Sequence, residues 1–180
     1  MSRTPHIGLG VTGSIAAYKA VELVRLMTGR NWKISVMMTE AATRYVGPLT
    51  FQALTGQPVA VGSFGGRADK EFPHIDLGQE ADVLLIAPCT ANTMAKLACG
   101  LADDIISCTV LASQAPVIVA PAMNVNMWNN PATQANRQTL IDRGVNVLDT
   151  GEGELACGMV GAGRLIELED IVSAVAASLP

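Results

Sequence analysis

The sequence contains little charge: only 16% of its 180 residues are Asp, Glu, Lys or Arg, whereas roughly a quarter is typical of soluble domains. Hydrophobic residues make up 49% of the chain, so the shortage of charge does not indicate a disordered protein. It indicates instead that part of the surface is apolar and covered by other copies of the chain. The composition therefore predicts a folded homo-oligomer.

Other features that the sequence lacks exclude whole classes of protein. The net charge is −4 and no cluster of Lys or Arg occurs, so nucleic acid is not an expected partner. The longest apolar run, residues 83–88, is far shorter than the ~20 residues of a membrane span, and no signal-peptide core is present. The four cysteines have no C-x-x-C spacing, which argues against zinc or disulfides. We therefore expect a cytoplasmic protein with free thiols, no metal and no membrane contact.

Short apolar runs alternate with helical patterns along the chain. We predict five strands, over residues 7–11, 33–38, 83–87, 117–120 and 145–148. We predict helices after residue 16, over 41–45, in two short pieces around Gly100 within 97–111, and over 131–143 and 168–179. Continuous rather than alternating apolar strands are typical of parallel sheets covered on both faces. The pattern predicts one α/β domain over residues 1–180, a three-layer doubly wound parallel sheet whose ligands bind beyond the carboxyl ends of the strands.

The first strand-to-helix turn is rich in glycine. Residues 8–13 match G-x-G-x-x-G, but Gly8 and Gly10 fall inside the predicted strand, which argues against a dinucleotide site. A single phosphate suits the turn better, because a glycine admits an anion and a hydroxyl with helix N-terminal amides binds it. The residues placed for this are Gly13, Ser14 and Ile15. A purely structural turn is the alternative.

Three other strand ends carry polar groups. Thr39 follows the second strand, where a hydroxyl suits phosphate. Residues 88–93 combine a proline with hydroxyl and amide groups that suit a planar heterocycle, although Thr90 and Asn92 are also ordinary helix N-caps. Residues 121–128 place Asn124 beside two methionines and a tryptophan, for which core packing is the alternative.

Only two histidines occur. His74 precedes the buried strand at 83–87 and belongs to the residue type that titrates near neutrality, as a general base should. A structural histidine is the alternative. His6 opens the first strand, where we expect an incidental role.

Five glycines lie between residues 151 and 163, around Cys157. This composition predicts a mobile flap, on which a thiol acts as an acid or a nucleophile. The alternative is an inert small hydrophobe, and we assign Cys99 and Cys108 to that class because both lie in apolar helical patterns.

Taken in order, the motifs at residues 13–16, 74–75, 88–93, 121–127 and 156–158 resemble those of the homo-oligomeric flavin-containing cysteine decarboxylases. The nearest branch comprises the phosphopantothenoylcysteine decarboxylases of coenzyme A biosynthesis, and the resemblance spans nearly the whole chain. It implies a flavodoxin-like or Rossmann-like flavoprotein fold, bound FMN and assembly as a trimer or dodecamer. The implied reaction converts phosphopantothenoylcysteine to phosphopantetheine through thioaldehyde and enethiolate intermediates.

The resemblance also implies roles for individual residues. Those implied to bind FMN are Gly13, Ser14, Ile15, Thr39, Thr90, Ala91, Asn92, Thr93 and Ala122. The implied catalytic residues are His74 and Cys157, and those implied to bind substrate are Asn124, Met127, Leu155 and Ala156. Cys89 and Met159 depart from the family pattern.

Two other functions stay open. The first is a peptidyl-cysteine decarboxylase, which forms a C-terminal aminoenethiol on a peptide and shares the histidine and asparagine motifs but not the cysteine. The second is a non-catalytic flavin-binding regulatory subunit. We further expect this chain to be the decarboxylase unit alone, because no synthetase domain follows it as in many bacterial versions.

Overall fold

The computed structural model describes residues 3–62, 73–154 and 160–180. The strands are β1 (His6–Val11), β2 (Lys33–Met38), β3 (Ala60–Val61), β4 (Val83–Cys89), β5 (Val117–Pro121), β6 (Asn146–Val147), β7 (Gly151–Glu154) and β8 (Val160–Arg164). The helices are α1 (Lys19–Thr28), α2 (Glu40–Thr43), α3 (Pro48–Thr55), α4 (Pro73–Glu80), α5 (Ala91–Cys99), α6 (Ile105–Ala112), α7 (Val125–Asn129), α8 (Pro131–Asp142) and α9 (Leu168–Ser178). A 3₁₀ helix, Ile15–Tyr18, precedes α1.

Six strands form one parallel sheet in the order β3-β2-β1-β4-β5-β6. Strand β1 pairs with β2 on one side and with β4 on the other, so the strand order reverses between β1 and β4. In doubly wound sheets this reversal opens a crevice beyond the carboxyl ends of the strands. The predicted fold class is confirmed, and the crevice is the first place to seek a ligand site.

Strand β4 shows why the sheet is covered on both faces. Successive side chains of a strand point to opposite faces. Val83 and Leu85 pack in the layer that contains α1 and α9, whereas Leu84 and Ile86 pack in the layer that contains α4, α5 and α6. All four side chains are buried. The unbroken apolar run of β4 is therefore the pattern that a three-layer structure requires.

The glycines of β1 serve packing within the sheet. A Cβ on Gly8 would lie 2.6 Å from Leu84 Cδ2, and one on Gly10 would lie 2.8 Å from Ile86 Cδ1. Both residues are inside the strand, as the sequence predicts. The formal G-x-G-x-x-G match is therefore a consequence of strand packing.

Several elements differ from the sequence-based prediction, and helix α3, which no predicted element covers, is one of them. Strand β3 has only two residues, too few to give a periodic signal. Helix α4 contains Gly78, which disfavours a helical prediction. A Cβ there would lie 3.3 Å from the Thr109 carbonyl oxygen of α6, so the glycine allows the two helices to pack closely. The predicted flap contains an antiparallel pair, β7 and β8, whose glycine-rich composition hides its strand character.

No helix within residues 3–62, 73–154 and 160–180 has the length and apolar character needed to span a membrane.

Candidate functional site

A pocket of about 540 Å³ lies at the carboxyl ends of β1, β2 and β4, where the strand order reverses. Its volume is within the range of small-molecule sites. Six residues predicted for the site line it: Gly13, Thr39, Thr90, Asn92, Thr93 and Met127. Six other lining residues were not predicted: Glu40, Ala41, Gly62, Lys96, Asp103 and Asp104. The pocket therefore joins loops that are up to 114 positions apart in the sequence.

Gly13 allows the first turn to approach α2 closely. A Cβ at this position would lie 2.6 Å from the Cβ of Ala41, nearer than two such atoms approach. Ala41 itself lines the pocket. The absence of a side chain at Gly13 is thus a steric requirement of the pocket wall.

Three of the predicted ligand hydroxyls cap helices. Each accepts a hydrogen bond from a backbone N–H in the first turn that follows it. The Ser14 hydroxyl accepts from the Ala16 N–H at 3.3 Å, that of Thr39 from the Ala42 N–H at 3.2 Å, and that of Thr90 from the Thr93 N–H at 3.3 Å. The capping alternative, stated for Thr90 and Asn92, is confirmed for Thr90 and wrong for Asn92, which lies inside α5. Capping is compatible with ligand binding, because a hydroxyl that accepts one hydrogen bond can also donate one.

Thr12 is a positioning residue that the predictions missed. Its side chain is fully buried. The hydroxyl donates to the Pro88 carbonyl at 2.6 Å and accepts from the Thr90 N–H at 3.0 Å. Thr12 therefore fixes the first turn against the loop after β4. The sequence feature that could have revealed Thr12 is a hydroxyl placed directly after a buried strand.

An ion-pair cluster forms another part of the pocket wall. Lys96 Nζ lies 2.7 Å from Asp103 Oδ1 and 2.8 Å from Asp104 Oδ2. Burial favours the neutral form of Lys96, but its hydrogen bonds to Asp103 and Asp104 outweigh burial and raise the pKa above its ordinary value. Burial likewise works to raise the pKa of Asp104, yet Lys96 and the Ser107 N–H hold it below its usual range. Lys96 and Asp104 are therefore both charged at neutral pH.

Helical spacing was the signal that could have revealed Lys96. Asn92 and Lys96 are four residues apart on α5, which places them on one face of the helix. Because Asn92 was a predicted ligand, Lys96 on the same helix face could have been predicted to line the site as well. The aspartates join this lysine from the next helix, and sequence spacing alone does not reveal such tertiary contacts.

The loop after β5 holds Asn124 at the N-cap of α7. Its Oδ1 accepts from the Asn126 N–H at 2.8 Å. Strand β8 packs directly on this loop, because the Met123 N–H donates to the Gly163 carbonyl at 2.9 Å. A Cβ on Gly163, whose φ is +119°, would lie 2.5 Å from the Met123 oxygen. The strands of the predicted flap thus lie against the predicted substrate loop.

Not all predicted residues line the pocket. Those that the structure describes elsewhere are Ser14, Ile15, His74, Ala91, Ala122 and Asn124. Ala122 is buried and its N–H donates to the Cys89 carbonyl at 3.0 Å, so it joins two of the loops. His74 is in the first turn of α4. Leu155, Ala156 and Cys157, together with Met159, lie outside the described residues.

The described cysteines are all free thiols. Cys89 is fully buried at the end of β4, and burial raises the pKa of its thiol far above the ordinary value, so it packs as an apolar residue. Cys99 is exposed at the end of α5 and Cys108 is half-buried, and the inert role expected for both stays a prediction. Within the described ranges, His, Cys, Asp and Glu form no group that could hold a metal ion.

Sequence comparison and structure comparison with known proteins both find flavoproteins similar to this chain. A sequence profile of the Flavoprotein family matches residues 1–180. The chain is 44% identical over 165 residues to the coenzyme A biosynthesis bifunctional protein CoaBC of Vibrio cholerae. That match covers 92% of this chain but only 41% of the relative.

Solved structures reproduce the fold over most of the chain. One is a PPC decarboxylase variant complexed with pantothenoylaminoethenethiol, with a TM-score of 0.85, 32% identity, and coverage of 97% of this chain and 98% of that chain. Another is the FMN-dependent cysteine decarboxylase SpaF, with a TM-score of 0.83, 33% identity and coverage of 94% of each chain. On its sequence and its fold, this chain belongs to the Flavoprotein family.

Proposed function

We propose that residues 1–180 form one FMN-dependent decarboxylase unit that converts phosphopantothenoylcysteine to phosphopantetheine. The observation that carries the proposal is the pocket at the strand-order reversal, which gathers five of the residues that the motifs imply for FMN: Gly13, Thr39, Thr90, Asn92 and Thr93. The relatives support it, because the similar curated protein acts in coenzyme A biosynthesis and the similar solved structure is a PPC decarboxylase.

The residues of the pocket fit FMN. Gly13 lets α2, through Ala41, close the pocket wall against the first turn, and both residues line the pocket. The hydroxyls of Thr39 and Thr90 and the amide of Asn92 give the donors and acceptors that a phosphate, a ribityl chain and a flavin ring need. FMN would be held between the first turn and the loop that opens α5.

When bound, FMN would supply the electron sink that a cysteine carboxylate lacks, through reversible hydride transfer. His74 takes the thiol proton as general base. The Asn124 side-chain amide donates to the substrate carboxylate. Cys157 returns a proton to the carbon that loses CO₂. One proton is taken up for each CO₂ released, and the product is a saturated thiol.

A peptidyl-cysteine substrate is the second candidate, because the motifs at residues 74–75 and 121–127 also resemble those of peptidyl-cysteine decarboxylases. Cys157 distinguishes the two candidates, since an enzyme that stops at the enethiol does not need a proton donor there. The thiol at position 157 favours the phosphopantothenoyl substrate. A regulatory flavin-binding subunit would carry out neither reaction.

The predicted assembly also belongs to this proposal. Large apolar side chains are exposed on the isolated chain: Ile15 (57%), Tyr18 (59%), Leu49 (74%) and Leu111 (63%). Such side chains are typical of surfaces that bind other subunits. We expect native mass spectrometry to give a trimer or a dodecamer, and a monomer would contradict this expectation. Cell fractionation would test the predicted cytoplasmic location.

The direct test supplies the purified, FMN-loaded protein with phosphopantothenoylcysteine or with a peptide that ends in cysteine, and measures released CO₂. The proposal predicts turnover of phosphopantothenoylcysteine and none of the peptide. Turnover of the peptide alone would establish the second candidate. Absence of both reactions would leave the regulatory subunit.

A further inference from the structure

Carboxylates outnumber cations in the wall of the pocket that we propose for FMN. Three carboxylates line the pocket, those of Glu40, Asp103 and Asp104. Among the lining residues that the structure describes, Lys96 is the only cation. FMN carries a phosphate with a charge of roughly −1.5 to −2 at neutral pH. An excess of carboxylates around a phosphate ligand is repulsive, so the way in which the wall is neutralised controls binding.

The acidic side of the wall is fixed in place. Asp104 caps α6, where its Oδ1 accepts from the Ser107 N–H at 2.9 Å. The next residue, Ile105, donates its N–H to the Gly62 carbonyl at 2.8 Å, which attaches the same turn to the end of β3. The Asp104 side chain is only 10% exposed. This carboxylate cannot turn into solvent without breaking the cap, so a cation must reach it instead.

Lys96 meets this requirement from the neighbouring helix. Its side chain is 17% exposed, and its ammonium bridges the two aspartates at 2.7 and 2.8 Å. The two carboxylates differ, because Asp103 is 63% exposed and water screens it, whereas Asp104 is largely shielded. Without Lys96 the pocket would retain a shielded, uncompensated charge of the same sign as the phosphate.

We propose that Lys96 is a positioning residue that compensates the shielded charge of Asp104 in the pocket wall and thereby lets the pocket bind a phosphate-bearing ligand. This inference rests on the proposed use of FMN. It implies that Lys96 acts on the charge of the ligand and not on the flavin ring. Riboflavin, which has the same ring and ribityl chain without the phosphate, therefore separates this role from a purely structural one.

The experiment titrates cofactor-free protein with FMN and with riboflavin, and follows the quenching of flavin fluorescence. Lys96→Met should weaken FMN binding about tenfold, the order expected for one unit charge across a small pocket. Riboflavin binding should change by less than about threefold, because the ligand is neutral. Salt at about 0.5 M should recover part of the lost FMN affinity by screening. Lys96→Arg should bind FMN nearly as the unmodified protein does, because it keeps the cation.

A second variant keeps the test independent of the stability of Lys96→Met. Asp103→Asn removes the exposed carboxylate and leaves the buried pair intact. It should bind FMN roughly twofold to threefold more tightly and leave riboflavin binding unchanged. Added to Lys96→Met, it should restore part of the FMN affinity.

Equal losses of FMN and riboflavin in Lys96→Met would overturn the inference and make Lys96 a structural residue. Unchanged FMN affinity in both Lys96→Met and Asp103→Asn would overturn it as well. Failure of the unmodified protein to bind FMN would overturn the proposed function itself, and the inference with it. Tight FMN binding by the unmodified protein keeps these failures distinguishable.

Discussion

The two ends of the parallel sheet use polar groups in different ways. At the carboxyl end, capping hydroxyls and the Lys96 cluster surround an open pocket. At the amino end, His6 is buried, and its ring nitrogens lie 2.9 Å from Ser35 Oγ and 3.2 Å from the Glu80 carbonyl. Because a carbonyl only accepts, Nδ1 of His6 donates to it and Nε2 accepts from Ser35. Polar groups that satisfy each other stabilise the amino end, whereas at the carboxyl end polar groups line the pocket in which we propose that FMN binds.

Helix α4 connects these two ends. Its first turn carries His74, the proposed base, and its last residue is Glu80, whose carbonyl binds His6. Asp82, directly after the helix, accepts from the His6 N–H at 2.8 Å and pairs with Arg3. Substitutions at the two ends of one helix should therefore separate catalysis from stability.

The largest expected effect is at the pocket end of α4. His74→Asn should lower kcat for decarboxylation at least about 100-fold, the lower limit for removal of a general base. FMN affinity should stay within about twofold, because His74 does not line the pocket. CO₂ release and FMN titration measure the two quantities. A rate within a few-fold of the unmodified protein would remove His74 from the mechanism.

The next effect concerns the first turn. Gly13→Ala places a Cβ 2.6 Å from that of Ala41, so we expect at least about tenfold weaker FMN binding and a loss of ~1–3 kcal/mol in the free energy of unfolding. Gly47→Ala is the steric control, since no atom lies within 4 Å of its Cβ and its φ is −69°. It should leave FMN binding unchanged and cost under ~1 kcal/mol in the free energy of unfolding, because alanine is a poorer N-cap for α3 than glycine. FMN titration and urea unfolding measure both variants. Equal behaviour of the two would refute the steric requirement at Gly13.

At the amino end, the expected change is in stability alone. Ser35→Ala leaves the buried Nε2 of His6 without its donor, which should cost ~1–3 kcal/mol in the free energy of unfolding while kcat stays unchanged. Ser173→Ala is the control, because this exposed hydroxyl only binds a carbonyl of its own helix and its removal should cost under ~0.5 kcal/mol. A change in kcat without a change in stability would contradict the separation of the two ends.

The smallest effect is a pH dependence. Burial and the nearby Lys33 lower the pKa of His6, against the opposing pull of Glu80 and Asp82. The unfolded chain, with a pKa near 6.5, therefore binds a proton before the folded chain does. Stability should fall as the pH drops below about 6.5, by less than ~1.4 kcal/mol per pH unit. Urea unfolding of His6→Gln should show a smaller fall in stability at low pH than the unmodified protein. Parallel pH dependences in the two proteins would exclude His6 as the source of the effect.

Much of the fold was predictable because buried strands carry their own signal. The runs that became β1, β2, β4 and β5 are apolar on both faces, and Gly100 separates α5 from α6 with φ of +71°. Strand β3 and the β7–β8 pair were not predictable, since two residues give no period and glycine gives no strand signal.

The site was predictable where the groups that form it are local in sequence. Thr39 and Thr90 follow strands directly, so their place at the carboxyl edge is implied by the fold. Lys96 and its aspartates were missed, because their pairing depends on how two helices pack. The buried contacts of His6 were missed for the same reason, since its partner Ser35 is 29 residues away. The roles of His74, Asn124 and Cys157 stay predictions.

The product of a single reaction tests the central claim most directly. FMN-loaded protein is incubated with phosphopantothenoylcysteine, and the product is analysed by mass spectrometry. The proposed function predicts a saturated thiol that has lost CO₂ and gained one proton, and Cys157→Ser should accumulate the enethiol that has lost two further hydrogens. Enethiol as the final product of the unmodified protein, or no product at all, would contradict the assignment.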